Sequence, residues 1–318
     1  MQRFLNHRGT RVGIQIGLSG LILWLLLRDL DGAAVLRTLE AGSVGWLLAA
    51  FLVKASGLLF HEYRLWLALP KPRPQTKKII SLGLAAGVLN LALPARAGDL
   101  AAIAFMEREC KVPVPVGTAA VGVTSFLEAA LFAFFLLAIF GMGAAHWAEL
   151  FGEGTRINAM MWIAASVGVG CAVLVIMAIL GRRWADAPAP SNPIWRLIQR
   201  IFVETSAILR DARYLGIQTA AAAAQVVLVV AAFSLAMPAS GAGVSDPLMA
   251  SSLVLGISSL AAFVLPPTMA AGPAAASVLV LPMFGVDEAS AMAYAGTYWL
   301  VAHTPAMLMG LPALWARR

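Results

Sequence analysis

The sequence predicts an all-α polytopic membrane bundle with about six full spans and two broken re-entrant hairpins of opposite orientation. Three observations predict it. Hydrophobic residues make up 60% of the 318 and charged residues 12%, too little polar surface to coat a soluble globule of that length. The apolar runs are roughly 17 to 27 residues long, close to the length a helix needs to cross hydrocarbon, and the ten-residue alternation of a barrel strand is not seen. Two further runs are broken by proline, glycine and charge where an apolar helix should continue.

Plain spans are expected near residues 12–28, 45–69, 115–140, 157–180, 214–237 and 288–315. The first has a basic start and an apolar centre. Its apolar run from Val12 to Leu27 is long for a signal core and more spans follow, so it reads as a membrane span rather than a secretory signal. Two cysteines, Cys110 and Cys171, give neither a disulfide framework nor a metal motif.

The first broken segment runs from Ile79 through Pro94, Arg96, Gly98 and Asp99 and back to Cys110. The second runs from Leu248 through Pro266, Pro267, Gly272 and Pro273 to about Met283. Proline removes an amide donor and glycine loosens the chain, so local backbone groups need partners from protein, water or ligand. The whole chain reads as one transmembrane domain, 1–318, with hairpins at about 79–110 and 248–283 and an amphipathic segment at about 193–213.

Positive charge tests this layout. Arg3, Arg8 and Arg11 precede the first span; Arg64, Lys71, Arg73, Lys77 and Lys78 are assigned to the end of the second. Arg182, Arg183, Arg196, Arg200, Arg210 and Arg213 separate the fourth and fifth, and Arg317 and Arg318 close the chain. All fall on one side if both hairpins return to the face they entered from, which puts both termini in the cytoplasm of a bacterial inner membrane. The net charge of +7 is therefore topology information and does not point to nucleic acid. Hairpins entering from opposite faces are the pattern of an inverted repeat with a binding site near the midplane.

The run Leu93-Pro94-x-Arg96-x-Gly98-Asp99 resembles the transmembrane region of lysylphosphatidylglycerol synthases and their stand-alone flippase-like relatives. The order of the last third agrees: Ser258 to Val264, a Pro-Pro to Gly-Pro break, a short apolar helix, Phe284 to Ala289 and a final long segment. The sequence departs from the family at Asp99, where glutamate is usual, and at Ala102 or Ile103, where an arginine is usual. It departs again at Thr124 and Ser125 in place of a Glu-Arg pair, and at Pro267-Thr268-Met269 in place of Pro-Gly-Gly. The family's two-part members add a soluble aminoacyl-transferase domain after the membrane part. The resemblance implies translocation of a lipid rather than its synthesis, hence no enzyme activity.

Within the chain, Arg96 offers a fork of donors, and the amides around Gly98 and Asp99 would open a half-helix, so together they suit a lipid phosphate. Arg96 and Asp99 pairing only with each other is the simpler alternative. Lys54 and Glu128 lie roughly 14 and 18 Å from the outer ends of their spans. They are expected to face inward and either pair or line a wet cavity, because an unpaired charge at that depth costs several kcal/mol. Pro94, Pro267, Gly272 and His303 are candidate gating positions, with His303 also readable as a hydrogen-bonded packing residue. His61-Glu62 lacks the second histidine of a zinc helix, Leu65 standing in its place, so no metal is expected. Asn90 and Gln225 are read as interhelical hydrogen-bonding residues, and the pairs Gly13/Gly17 and Gly168/Gly170 as close-packing points.

The expected function is translocation of a phosphate-bearing lipid, of the aminoacyl-phospholipid, glycolipid or polyprenyl-phosphate type, without a cofactor. A membrane-embedded lipid transferase, or a non-catalytic subunit docking a separate lipid-modifying synthase through residues 182–213, are the alternatives. Membrane lipids are the expected partners, and a homo-oligomer stays open.

Overall fold

The computed structural model describes Trp24, Arg28 and residues 31–92, 97–142, 153–261 and 271–317. Along these residues run eleven α-helices and no strand: α1 (Gly32–Glu40), α2 (Val44–Ala68), α3 (Thr76–Ala92), α4 (Ala97–Cys110), α5 (Val114–Met142), α6 (Glu153–Trp184), α7 (Pro193–Arg210), α8 (Ala212–Ser240), α9 (Pro247–Ala261), α10 (Ala271–Val280) and α11 (Glu288–Trp315). A 3₁₀ turn, Leu281–Phe284, follows α10. The protein is an all-α membrane helical bundle. Four of the expected spans are long and apolar enough to cross hydrocarbon: Val44–Ala68, Val114–Ile139, Met160–Trp184 and Ala212–Ser240. Of the first expected span, only Trp24 and Arg28 are described. The last is a continuous 28-residue helix, but Tyr294, Tyr298, Trp299, His303 and Pro305 dilute its apolar character, and it is not among the four.

Local signals account for the helix ends. Asp31 caps α1 by accepting from the Ala33 amide at 2.9 Å, a short helix that the hydropathy pattern had not announced. Asn192 caps α7 by accepting from the amides of Ile194 and Trp195, with Pro193 supplying the fixed φ of a first helical residue. Asp287 accepts from the Ser290 amide and hydroxyl at 2.9 Å each and so caps α11. These hydrogen bonds hold its carboxyl below the ordinary aspartate range.

The chain divides into two compact units. One comprises Met1–Ser56, Leu91–Ala95 and Leu228–Leu308; the other comprises Gly57–Asn90, Arg96–Val227 and Met309–Arg318. In the first unit α9 packs on α10 as a hairpin, and Phe233 stacks on Tyr298 with ring centroids 4.0 Å apart. The buried Tyr294 hydroxyl donates to the Phe233 carbonyl at 3.2 Å.

In the second unit Leu65 of α2 and Leu69 just beyond its end, Ile79 and Leu82 of α3, Met106 of α4 and Val116 and Ala120 of α5 form one buried cluster. Helices α3 and α4 run as a hairpin: at its base Lys78 donates to the Glu109 carbonyl, and at its tip Asn90 meets Gly98. The amphipathic α7 packs on α5 and α6, burying Thr205 and Ser206 and leaving Ile194, Trp195 and Leu197 exposed.

Lipid tails are as apolar as leucine, so close backbone approach at small residues holds such helices together. Gly181 of α6 lies against the Phe202 carbonyl of α7, and Gly170 lies against the ring of Phe126 on α5; Gly168, expected to act with Gly170, faces open space. Gly13 and Gly17 lie outside the described residues. Gly181→Ala places a Cβ on a backbone carbonyl that cannot swing away, so it should cost about 1–3 kcal/mol. Gly168→Ala should be silent. Thermal unfolding in detergent, followed by loss of the monodisperse peak, separates the two; equal midpoints would show that α6 and α7 do not depend on this contact.

Candidate functional site

Arg64 sits inside α2, its side chain 0% exposed. The positive-charge pattern counts it among the loop cations at the end of the second span; it differs because α2 continues to Ala68 and two neighbouring helices, α5 and α8, supply oxygen acceptors. A guanidinium stays charged at any ordinary pH and has five N–H donors to satisfy. Its Nη1 donates to Gln225 Oε1 at 2.6 Å and to Glu128 Oε2 at 3.5 Å. Its Nε donates to Gln218 Oε1 at 3.2 Å and its Nη2 to the Thr124 carbonyl at 2.9 Å. Gln218 closes the loop by donating Nε2 to the Arg64 carbonyl at 2.7 Å.

Helical spacing explains why these groups meet. His61 and Arg64 are three apart on α2, Thr124 and Glu128 four apart on α5, and Gln218 and Gln225 seven apart on α8, so each pair shares one helix face. His61 Nδ1 lies 2.7 Å from Glu128 Oε2, and Gln225 Nε2 is 3.5 Å from the same ring nitrogen. His61 and Glu128 are 33% and 31% exposed, so the fully buried guanidinium lies behind an acid–imidazole pair that can be reached. One oxygen, Glu128 Oε2, meets both the imidazole and the guanidinium. Beside them Glu62 is buried, its carboxyl filling the space over Gly83 of α3, within electrostatic reach of Asp99 and Glu128.

Among the described residues, Asn90 of α3 reaches the start of α4 with both ends of its carboxamide. Asn90 Oδ1 accepts from the Gly98 amide at 2.7 Å, and Asn90 Nδ2 donates to Asp99 Oδ1 at 2.7 Å. Only glycine fits at 98, because a Cβ there would strike the Ala86 carbonyl and the Asn90 carboxamide. Asp99 in the first turn of α4 also complements the positive end of the helix dipole. The Gly98 amide, expected to face a lipid phosphate, thus has an internal acceptor. Pro94 and Arg96 lie outside the described residues, as does Pro267.

The other sequence-predicted positions are found as follows. Lys54 places its Nζ 5.4 Å from the centre of the Phe233 ring, a cation–π arrangement, whereas Glu128 has His61 and Arg64 as partners. His303 is buried, stacked on Trp299, with Nδ1 2.9 Å from the Trp299 carbonyl. Gly272 is buried in the first turn of α10.

The family model for the lysylphosphatidylglycerol synthase TM region matches residues 12–310. The chain belongs to that family. Membership places this multi-pass membrane protein in membrane-lipid biology. No curated protein and no solved structure matches the chain.

His61, Arg64, Gln218 and Gln225 were not singled out as site residues, although the spacings 61/64, 124/128 and 218/225 were available in the sequence. Replacing Asn90 tests the hairpin tip. Asn90→Ala removes the acceptor for Gly98 and should cost about 1 kcal/mol, the usual value of a lost helix cap. Asn90→Asp keeps an acceptor but sets like charge against Asp99 and should cost more. Hydrogen exchange at the first turn of α4 reads both, and unchanged protection in Asn90→Ala would contradict the capping role.

Proposed function

We propose that this protein carries a phosphate-bearing lipid between the leaflets of a bacterial inner membrane, with both termini cytoplasmic and no covalent change in the lipid. The observation that supports it is the accessible His61–Glu128 pair in front of buried Arg64. Glu128 lies roughly 21 Å along α5 from Val114, and Gln225 roughly 20 Å along α8 from Ala212, at 1.5 Å rise per residue, near the middle of helices 29 residues long. Charged groups at that depth are costly and characteristically line the route of a polar solute. A head group moving through the apolar layer needs such a lining, while its tails stay in lipid. A cation held by uncharged carboxamides is suited to pairing with a phosphate monoester or diester.

The test is purified protein in phosphatidylcholine vesicles carrying a trace of tail-labelled fluorescent phosphatidylglycerol, with a membrane-impermeant reductant added outside. Quenching should proceed beyond the outer-leaflet share with wild type. Glu128→Gln should slow it about tenfold or more, equivalent to about 1.4 kcal/mol or more on the barrier. Movement no faster than in empty vesicles would overturn the reading. Lipid recovered with altered mass would point instead to a transferase.

A further inference from the structure

We propose that Glu128 is a proton-exchanged placeholder for the lipid phosphate: the phosphate takes the carboxylate's seat beside Arg64 and His61, and Glu128 takes up one proton as it leaves. The lipid named here rests on the translocation reading; the exchange itself rests on the geometry of the site.

Arg64 is anchored unequally. Its contacts to neutral acceptors, Gln225 Oε1 at 2.6 Å and the Thr124 carbonyl at 2.9 Å, are short, while its contact to its carboxylate partner Glu128 is 3.5 Å. The guanidinium is therefore positioned by groups that carry no charge, and the counterion is the loosest member of the set. Removing the counterion of a buried cation is costly unless another anion replaces it. Replacement keeps the local charge constant only if the departing carboxylate becomes neutral at the same time. The ledger balances with one monoanionic phosphate diester in, one proton onto a Glu128 carboxylate oxygen, and no net change of charge in an apolar surround.

The route for the proton is on the same edge. His61, one-third exposed, has Nδ1 2.7 Å from Glu128 Oε2, so an imidazole can pass a proton to the carboxylate and recover one from water at Nε2. The charged and titratable groups around the pair are His61, Glu62 and Arg64 on α2, Asp99 on α4, Glu128 on α5 and Tyr214 on α8. Glu62, over Gly83 of α3, and Asp99, in the first turn of α4, gather the other carboxyl groups on the side of the α3–α4 hairpin, which leaves the side of Arg64 and His61 as the place where an anion is accepted.

Binding of short-chain phosphatidylglycerol to the purified full chain in detergent tests this by titration calorimetry in buffers of different ionisation enthalpy. Wild type should take up about one proton per lipid bound, with affinity rising as pH falls by up to about tenfold per pH unit. The sign follows from the bound state holding the extra proton. Glu128→Gln, which fixes the neutral form, should bind at least as tightly as wild type at low pH, with no proton uptake and a flat pH profile. It should still move lipid slowly, because the carboxylate needed to expel the phosphate is gone. His61→Gln should retain the proton uptake. Inorganic phosphate should bind at least about a hundredfold more weakly, since it lacks the acyl chains that short-chain phosphatidylglycerol lays against apolar surface; equal affinity would make free phosphate the ligand and overturn the lipid assignment.

Wild type that binds no phosphatidylglycerol at any pH, or binds it without proton uptake, overturns the placeholder, and this measurement needs no variant. Uptake that survives in Glu128→Gln and vanishes in His61→Gln overturns it as well, by placing the proton on the imidazole. Lipid bound with a proton in detergent but immobile in vesicles sinks the translocation reading alone; lipid that moves in vesicles but binds without a proton sinks the placeholder alone.

Discussion

The arrangement of α2, α5 and α8 depends on one requirement: a guanidinium with no exposed surface must have its donors met by oxygen. Arg64 meets that requirement with two side-chain carboxamides, one backbone carbonyl and one carboxylate. Removing a partner from such a set leaves a buried charge partly unpaired, at a cost of several kcal/mol. Leucine-rich surfaces slide over one another with little preference, since lipid offers an equally apolar alternative. A buried arginine with fixed acceptors on two other helices does not slide, so it sets the register of those helices as well as their polarity.

Asn90 solves a related problem on a smaller scale. A helix that stops inside an apolar layer leaves amide donors with no carbonyl to accept them. At the start of α4 the Gly98 amide is met by the Asn90 carboxamide, and the other end of the same carboxamide holds Asp99 in the first turn. One neutral side chain thus satisfies a backbone orphan and orients a carboxylate. Gly98 has no Cβ because that closeness leaves no room for one. Among the described residues, the start of α4 is thus met from within the chain, by Asn90 of α3.

Much of the fold was legible in the sequence because hydropathy and interruption are local properties. The runs that became α2, α5, α6 and α8, and the separate start of α4 near Gly98, could be read without knowing what packs on what. The polar site was harder. Arg64 looked like one of several cations at a span end, since only the helix continuing to Ala68, with acceptors waiting on α5 and α8, takes it out of the loop set. His61 reads in the sequence as half of a zinc helix that Leu65 leaves incomplete, yet its partner is an acid 67 residues away. Gln225 was read correctly as an interhelical hydrogen-bonding residue, but which helix it meets is not written in its own span. Spacing within a helix shows which residues share a face; it does not show which faces meet.

The identity of the acceptors around Arg64 decides what the site can do. Had Gln218 and Gln225 been glutamates, the guanidinium would sit among three carboxylates, the local charge would be strongly negative, and an incoming phosphate would be repelled. With Gln218 and Gln225 as they are and Glu128 also neutral, the cation would lack a carboxylate partner in the resting protein and would be more costly to bury. The combination present, neutral groups at the shortest distances and one accessible acid at the longest, meets both demands. It holds a permanent cation in an apolar interior while leaving its charge partner replaceable. In a family named for a membrane-lipid synthase's transmembrane region, a replaceable counterion is the feature that would let a structural arginine serve the binding role proposed for it.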